Sequence, residues 1–286
     1  MLRTRLWVGS LLALAAGGLL VGDQYLAPWF PCLFVCLLFL GVVATRELVR
    51  LFPPAFRPSE LLTTTGVLLA LAANWHPVVR AQNSLAPASP WPLVAFVLAG
   101  VLIAAFLLEM HRYRGEPGAA VPRIALTVFA VTYLGLLASF LAQLRWIHPD
   151  PLHTSLILTL TIFVPKCGDI GAFFAGTFFG RHKMTPILSP KKTWEGAAGG
   201  LLASVLVAVG LSFAAPVFKH GVLEAVAFGV AVCVAGVLGD LAESLIKRDG
   251  QTKDAAQSIP GFGGLLDVID SVLFAAPVAY VWFGSH

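Results

Sequence analysis

Charge is what this sequence has least of. Only 12% of its 286 residues are Asp, Glu, Lys or Arg, against 58% hydrophobic, whereas a soluble domain carries about a quarter charged residues. That shortage excludes an ordinary water-soluble fold. It leaves an all-α, polytopic helical integral membrane protein, because its apolar runs are of the length at which a helix spans lipid with its backbone groups satisfied internally. Cysteine is scarce as well. Cys32, Cys36, Cys167 and Cys233 all lie in apolar runs and form no CxxC pair, which excludes a disulfide framework or zinc site and reads as small buried hydrophobes. A basic–aromatic stripe is lacking, and a net charge of +4 scattered along the chain does not suit a nucleic-acid partner. No internal repeat is found. No small-residue cleavage site follows the first apolar run, so Met1–Arg5 and Leu6–Gly22 read as a basic flank and a first span, not a removable signal.

What is there is apolar sequence in span-sized blocks. A span needs roughly 17–25 mostly apolar residues. About nine are read: Leu6–Gly22, Pro28–Ala44, Leu61–Trp75 (short), Pro92–Leu108, Ile124–Leu144, Leu152–Phe179, Gly196–Phe218, Val222–Ile246 and Leu265–Phe283. With the N-terminus in the cytoplasm, the inside segments hold Arg3, Arg5, Arg46, Arg50, Arg57, Arg112, Arg114, Arg123, Arg181, Lys183, Lys191, Lys192, Lys247, Arg248 and Lys253. These are fifteen of the nineteen Lys and Arg residues, the asymmetry expected of cytoplasmic loops. Residues 1–150 read as a chemically quiet set of transmembrane helices. Thr45–Leu48 and Glu109–Arg112 there are read as solvated or snorkelling span ends. Residues 151–286 carry the polar chemistry.

The most polar stretch is Gly239–Ser271. Asp240, Glu243, Ser244 and Lys247 fall at i, i+3, i+4 and i+7, one face of a helix. A polar loop with Arg248, Lys253 and Asp254 follows. Pro260-Gly261 and Gly263-Gly264 then allow tight turns and close backbone approach to a ligand, and Asp267 and Asp270 open the last apolar segment. Carboxylates on two helices across a basic, glycine-containing loop suit Mg²⁺ and phosphate together. Lysine and arginine beside a span can serve topology alone, and Asp–Lys pairs can be simple ion pairs. Acids at helical spacing on both sides of the loop are not needed for topology.

Two further segments are unusual. Lys166, Gly168, Asp169 and Gly171 lie deep in an apolar run, and Pro165 breaks the hydrogen-bond ladder of that span just before them. A charge there is costly and faces a protein cavity and a partner; a helix-packing face with a structural Lys166–Asp169 pair is the alternative. The loop Gly180–Gly196 contains Ser189-Pro190-Lys191-Lys192-Thr193-Trp194-Glu195-Gly196. Ser189 and Pro190 are expected to start a helix, which sets Lys191 and Lys192 in its first turn, suited to a phosphate. Trp194 can stack on a base or anchor at the interface.

Ser244, Lys247-Arg248, Lys253-Asp254, Pro260, Gly263-Gly264, Asp267 and Asp270 resemble the signature of the phosphatidate cytidylyltransferase (CDP-diglyceride synthase) family. Phe262 stands where that family usually has His, and Val268 where it usually has Arg. Asp169-x-x-Ala172-Phe173-x-x-Gly176 and the Ser189–Gly196 block resemble two more motifs of the same family. The resemblance implies transfer of a cytidylyl group from CTP to phosphatidic acid, giving CDP-diacylglycerol and pyrophosphate, with one or two Mg²⁺ ions and room for a monovalent cation. It implies Asp240 and Asp267 as metal ligands, with Asp270 as a third or as a hydrogen-bond acceptor behind them. Asp240, Asp267, Lys247 and Lys253 are the catalytic candidates. Asp169, Ser189, Lys191, Lys192, Thr193, Glu195, Glu243, Ser244, Arg248, Asp254, Gly263 and Gly264 are the candidates for nucleotide and lipid phosphate. A bacterial cytoplasmic membrane with the site on the cytoplasmic side is implied, and a homodimer is compatible with such helices. Other readings of the residues are a CTP-using isoprenoid-alcohol kinase, an ion-coupled transporter with its acids spread through the bilayer, and a catalytically dead scaffold in view of Phe262 and Val268.

Overall fold

Prolines and side-chain caps set where many of the helices begin. The computed structural model describes residues 2–83, 89–115, 117–214, 216–252, 256 and 263–284. In chain order its helices are α1 (Leu2–Asp23), α2 (Pro31–Leu51), α3 (Glu60–Ala73), α4 (His76–Gln82), α5 (Trp91–Arg112), α6 (Ala120–Ala130), α7 (Leu137–Gln143), α8 (Pro151–Phe179), α9 (Trp194–Ala214), α10 (Val222–Asp249) and α11 (Leu266–Gly284). A π-helical turn, Val131–Leu136, joins α6 to α7. The only strands among the described residues are β1 (Lys183–Thr185) and β2 (Ser189–Thr193), an antiparallel pair between α8 and α9.

Eight helical stretches among the described residues are long and apolar enough to cross a membrane, the α6–α7 stretch Ala120–Trp146 counting as one. The chain is therefore an integral membrane protein. Of the nine expected spans, Leu61–Trp75 falls short. Helix α3 has 14 residues, about 21 Å at 1.5 Å per residue, against a hydrocarbon core of about 30 Å. Asn74 ends it by donating its side-chain amide to the carbonyls of Ala70 (2.8 Å) and Leu71 (3.1 Å).

The chain forms two units, Met1–Ala142 with Asp254–Leu266, and Gln143–Lys253 with Asp267–His286. In the first, α3 packs against α2, α5 and the π-helical turn. Val67 and Ala70 are fully buried there, and a methyl group on Gly66 would lie 2.7 Å from Val101 Cγ2. Asp23 accepts from the amides of Cys32 (2.9 Å) and Leu33 (3.2 Å), capping α2. Two acids expected at solvated span ends are buried instead. Glu47 (4% exposed) accepts from the Leu266 amide at 2.9 Å. Glu109 (7% exposed) pairs with Arg123 at 3.4 Å and Arg112 at 3.8 Å. A buried carboxylate keeps its charge only with such partners.

In the second unit, Asp150 caps α8 by accepting from the Leu152 amide at 3.0 Å, with Pro151 at the first helical position. The buried Arg145 donates to Ser155 Oγ on the first turns of α8 at 2.5 Å. Helix α8 runs through Pro165 for 29 residues, a single helix where one span, Leu152–Phe179, is expected. Proline removes one ladder bond, and here tertiary packing outweighs that loss. Gly168, Gly171 and Ala175 of α8 lie against Gly199, Gly200, Ala203 and Ser204 of α9, the small-residue contact that brings two helix backbones close in a membrane. Helix α10 packs on both α8 and α9. Gly239 of α10 lies against the backbone of Asp270 and Ser271 in α11.

Candidate active site

The close backbone approach at Gly239 places its neighbour, Asp240, beside the first turns of α11. Ligand atoms of Asp240, Glu243 and Asp270 lie within 4.8 Å of one another, with Glu243 and Asp270 buried. Asp240 and Glu243 share a face of α10 through their i, i+3 spacing; Asp270 comes from α11.

Each of these carboxylates also meets a lysine. Lys192, on β2, reaches Asp240 Oδ2 at 2.7 Å. Lys247, one turn beyond Glu243, lies 2.6 Å from Glu243 Oε2 and 2.6 Å from Asp267 Oδ1. Lys166, on α8, lies 3.3 Å from Asp270 Oδ1 and 3.2 Å from Asp169 Oδ2. Ser271 Oγ donates to the same Asp169 oxygen at 3.1 Å. Five carboxylates and three ammonium groups from α8, β2, α10 and α11 thus form one network within the second unit.

The three-carboxylate group is not the expected one. Glu243 stands in it and Asp267 does not; Asp267 is held by Lys247. Lys166, read from sequence only as a partner of Asp169, joins the two ends of the network. Its i, i+3 spacing to Asp169 was the signal available; its contact with Asp270, 104 residues away, had none.

The hairpin corrects another expectation. Ser189 does not start a helix. It opens β2, and Lys191 and Lys192 lie on that strand, so they are not in a first helical turn. Helix α9 begins at Trp194, and Thr193 caps it by accepting from the Gly196 amide at 3.1 Å. Glu195 accepts from the amides of Arg181 (3.1 Å) and His182 (3.2 Å) and meets His182 Nδ1 at 2.6 Å, which closes the base of the hairpin. Arg248 donates from Nε to the Leu188 carbonyl at 3.3 Å and so ties the hairpin to the end of α10. Lys191 and Trp194 are exposed, and Ser244 is buried on α10. Gly263 (φ +104°) and Gly264 belong to the first unit. Lys253, Asp254 and Phe262 lie outside the described residues.

The donor set fits a hard divalent cation. Such ions take carboxylate oxygens. Glu243 Oε1 is buried without a hydrogen-bond partner, a costly state for a carboxylate oxygen unless a cation or a proton completes it.

An integral membrane protein with a carboxylate–lysine network spanning four elements is the class that fold and site define. A model of the cytidylyltransferase family matches residues 3–286, nearly the whole chain, and the chain belongs to that family. It is 30% identical over 294 residues to the phosphatidate cytidylyltransferase of Synechocystis sp., covering 94% of this chain and 92% of the relative. It is 36% identical over 245 residues to phosphatidate cytidylyltransferase 4, chloroplastic, of Arabidopsis thaliana (77% and 62%). It is 36% identical over 162 residues to the phosphatidate cytidylyltransferase of Haemophilus influenzae (54% and 56%), so that match spans little more than half of the relative.

Proposed function

We propose that the chain transfers the cytidylyl group of CTP to phosphatidic acid, releasing pyrophosphate and forming CDP-diacylglycerol. The observation that carries this reading is the gathering of Asp169, Asp240, Glu243, Asp267 and Asp270 with Lys166, Lys192 and Lys247 in a chain alike over nearly its whole length to a relative named for that activity. The same gathering runs against a transporter, whose acids would be spread through the bilayer.

Both reactants are anions, so the work of the site is to neutralise and align them. Asp240, Glu243 and Asp270 would hold Mg²⁺. Bound there, the ion would withdraw charge from phosphate oxygens. Lys192 and Lys247 are already fixed by carboxylates, and each can exchange one carboxylate contact for a phosphate oxygen. Lys191, exposed on β2, adds a third cation on the hairpin. Arg248 holds the hairpin through the Leu188 carbonyl and so positions Lys191 and Lys192. Attack by the phosphatidate oxygen needs no protein base, because a phosphate monoester is ionised at neutral pH. A role for the family His, replaced here by Phe262, is therefore not required.

Counted with the short helix α3 as a ninth crossing, fifteen of nineteen Lys and Arg fall on one side, which supports a cytoplasmic N-terminus and hairpin. The bacterial relatives support a bacterial cytoplasmic membrane.

The test is turnover in detergent–lipid micelles with labelled CTP, phosphatidic acid and Mg²⁺, for wild type and Asp240→Asn. The expected result is labelled CDP-diacylglycerol from wild type and a rate lower by at least about 100-fold from the variant. A folded wild type that yields no product, with or without Mg²⁺, overturns the reading, and an isoprenoid alcohol would be the next acceptor to try.

A further inference from the structure

A two-stranded hairpin standing alone is marginal in water, and the one between α8 and α9 is short. Strand β1 has three residues and β2 five, and their register breaks between Lys183 and Thr185. Yet this hairpin carries Lys192, whose ammonium lies 2.7 Å from Asp240 Oδ2. Attachments outside its own ladder have to hold it there.

One attachment is to α10. Lys192 meets Asp240, and Arg248 donates to the Leu188 carbonyl at 3.3 Å. Leu188 to Lys192 is about 13 Å of strand, and Asp240 to Arg248 is about 12 Å of helix, so β2 runs beside the last turns of α10. The other attachment is at the base. There the Trp194 amide donates to the His182 carbonyl at 3.0 Å. Glu195, in the first turn of α9, takes the amides of Arg181 (3.1 Å) and His182 (3.2 Å) and meets His182 Nδ1 at 2.6 Å. A carboxylate only accepts, so the imidazole carries its proton on Nδ1. This is the shortest of the three contacts to Glu195 and the one that a substitution can remove. The His182 side chain is 77% exposed, so it fills no core.

We propose that His182 is a positioning residue for the nucleotide: through Glu195 it fixes the base of the hairpin and so keeps Lys192 where the triphosphate of CTP is bound. This rests on the CTP reading given under Proposed function. With the Nδ1 donor in place, the hairpin holds its binding conformation before the nucleotide arrives. Without it the hairpin spends part of its time elsewhere, and the apparent affinity falls by the fraction lost. Once CTP is bound the lysine is in place, so turnover at saturation is retained.

The test uses the shapes of two amides. An Asn side chain can set an N–H near the position of Nδ1, and a Gln side chain near that of Nε2. Full-length protein in detergent–lipid micelles with Mg²⁺ is titrated with CTP without acceptor, for Kd, and then assayed with phosphatidic acid, for KM and kcat. His182→Ala and His182→Gln should raise Kd and KM for CTP by about tenfold, the size of one hydrogen bond to a charged group, with kcat within about twofold of wild type. His182→Asn should restore both constants to within about twofold of wild type. On a Glu195→Ala background, His182→Ala should add less than about twofold, because its effect runs through Glu195.

An unchanged Kd in folded His182→Ala overturns the inference. So does the reverse order, with Gln like wild type and Asn weak, which would put the imidazole itself on a phosphate. A lower kcat with Kd and KM unmoved would make the pair a support of the fold alone and overturns it as well. A wild type that binds CTP and shows the expected pattern in Kd, but makes no CDP-diacylglycerol, keeps this inference and removes the proposed reaction. A wild type that binds no CTP removes both.

Discussion

The Lys247 ammonium donates to Asp267 Oδ1 at 2.6 Å, joining the C-terminal part of α10 to the first turn of α11. The same ammonium lies 2.6 Å from Glu243 Oε2. One lysine thereby compensates two carboxylates whose side chains are 1% and 13% exposed.

Removing that lysine should be costly to the fold. Lys247→Met leaves both carboxylates without this partner, and breaking a buried pair from one side costs about 3–5 kcal/mol. The melting temperature in detergent should fall by more than about 5 °C. Glu243→Gln added to Lys247→Met should recover part of the loss, because one of the stranded charges is then gone. A double variant no more stable than Lys247→Met would show that the cost lies elsewhere.

Divalent cations should stabilise the protein through Glu243. A ligand bound only by the native state at a hundred times its dissociation constant adds about 2.7 kcal/mol. Mg²⁺ should raise the melting temperature of wild type, and chelation with EDTA should reverse the rise. Glu243→Gln should remove most of the response, since its Oε1 is the buried oxygen without a hydrogen-bond partner. An undiminished Mg²⁺ response in that variant would place the ion on other residues.

The α8–α9 contact should tolerate no bulk. A methyl group on Gly200 would stand 2.8 Å from the Gly168 carbonyl oxygen and 3.1 Å from Ala172 Cβ, and neither backbone can yield without moving a helix. Gly200→Val should destabilise the protein by about 1–3 kcal/mol. Because Lys166 and Asp169 ride on α8, activity per folded molecule should fall as well. Gly210→Val on the same helix, where no atom lies within 4 Å of the added carbon, is the control and should melt like wild type.

The side of the membrane that bears the hairpin can be read directly. Ile187, at its tip, is 96% exposed. In a background lacking the four native cysteines, Ile187→Cys should react with a membrane-impermeant maleimide in inside-out vesicles and stay unlabelled in right-side-out ones. The opposite pattern would reverse the orientation that the distribution of Lys and Arg supports.

Much of the site was legible as spacing along single helices. Asp240, Glu243 and Lys247 share a face because 3.6 residues make a turn, and Lys166 meets Asp169 for the same reason. What could not be read was the rotation of one helix against the next. That Glu243, and not Asp267, joins Asp240 and Asp270 follows from how Gly239 seats α10 on the backbone of α11. The strand at Ser189–Thr193 was hidden by Ser189-Pro190, a pair equally good at opening a helix. The burial of Glu47 and Glu109 was hidden by their places near the ends of apolar runs, where water is the usual partner.

By itself, then, the sequence determined that the chain lies in a membrane and is built of helices, because 12% charge and apolar runs of span length suit helices that satisfy their own backbone in lipid. Its motifs also marked the segments that carry the chemistry. Only the tertiary structure decided which charges meet. The partners Lys166 and Asp270, Lys192 and Asp240, and Lys247 and Asp267 come from different elements. A contact across elements is set by the packing of small residues between helices, and one-dimensional spacing does not encode it.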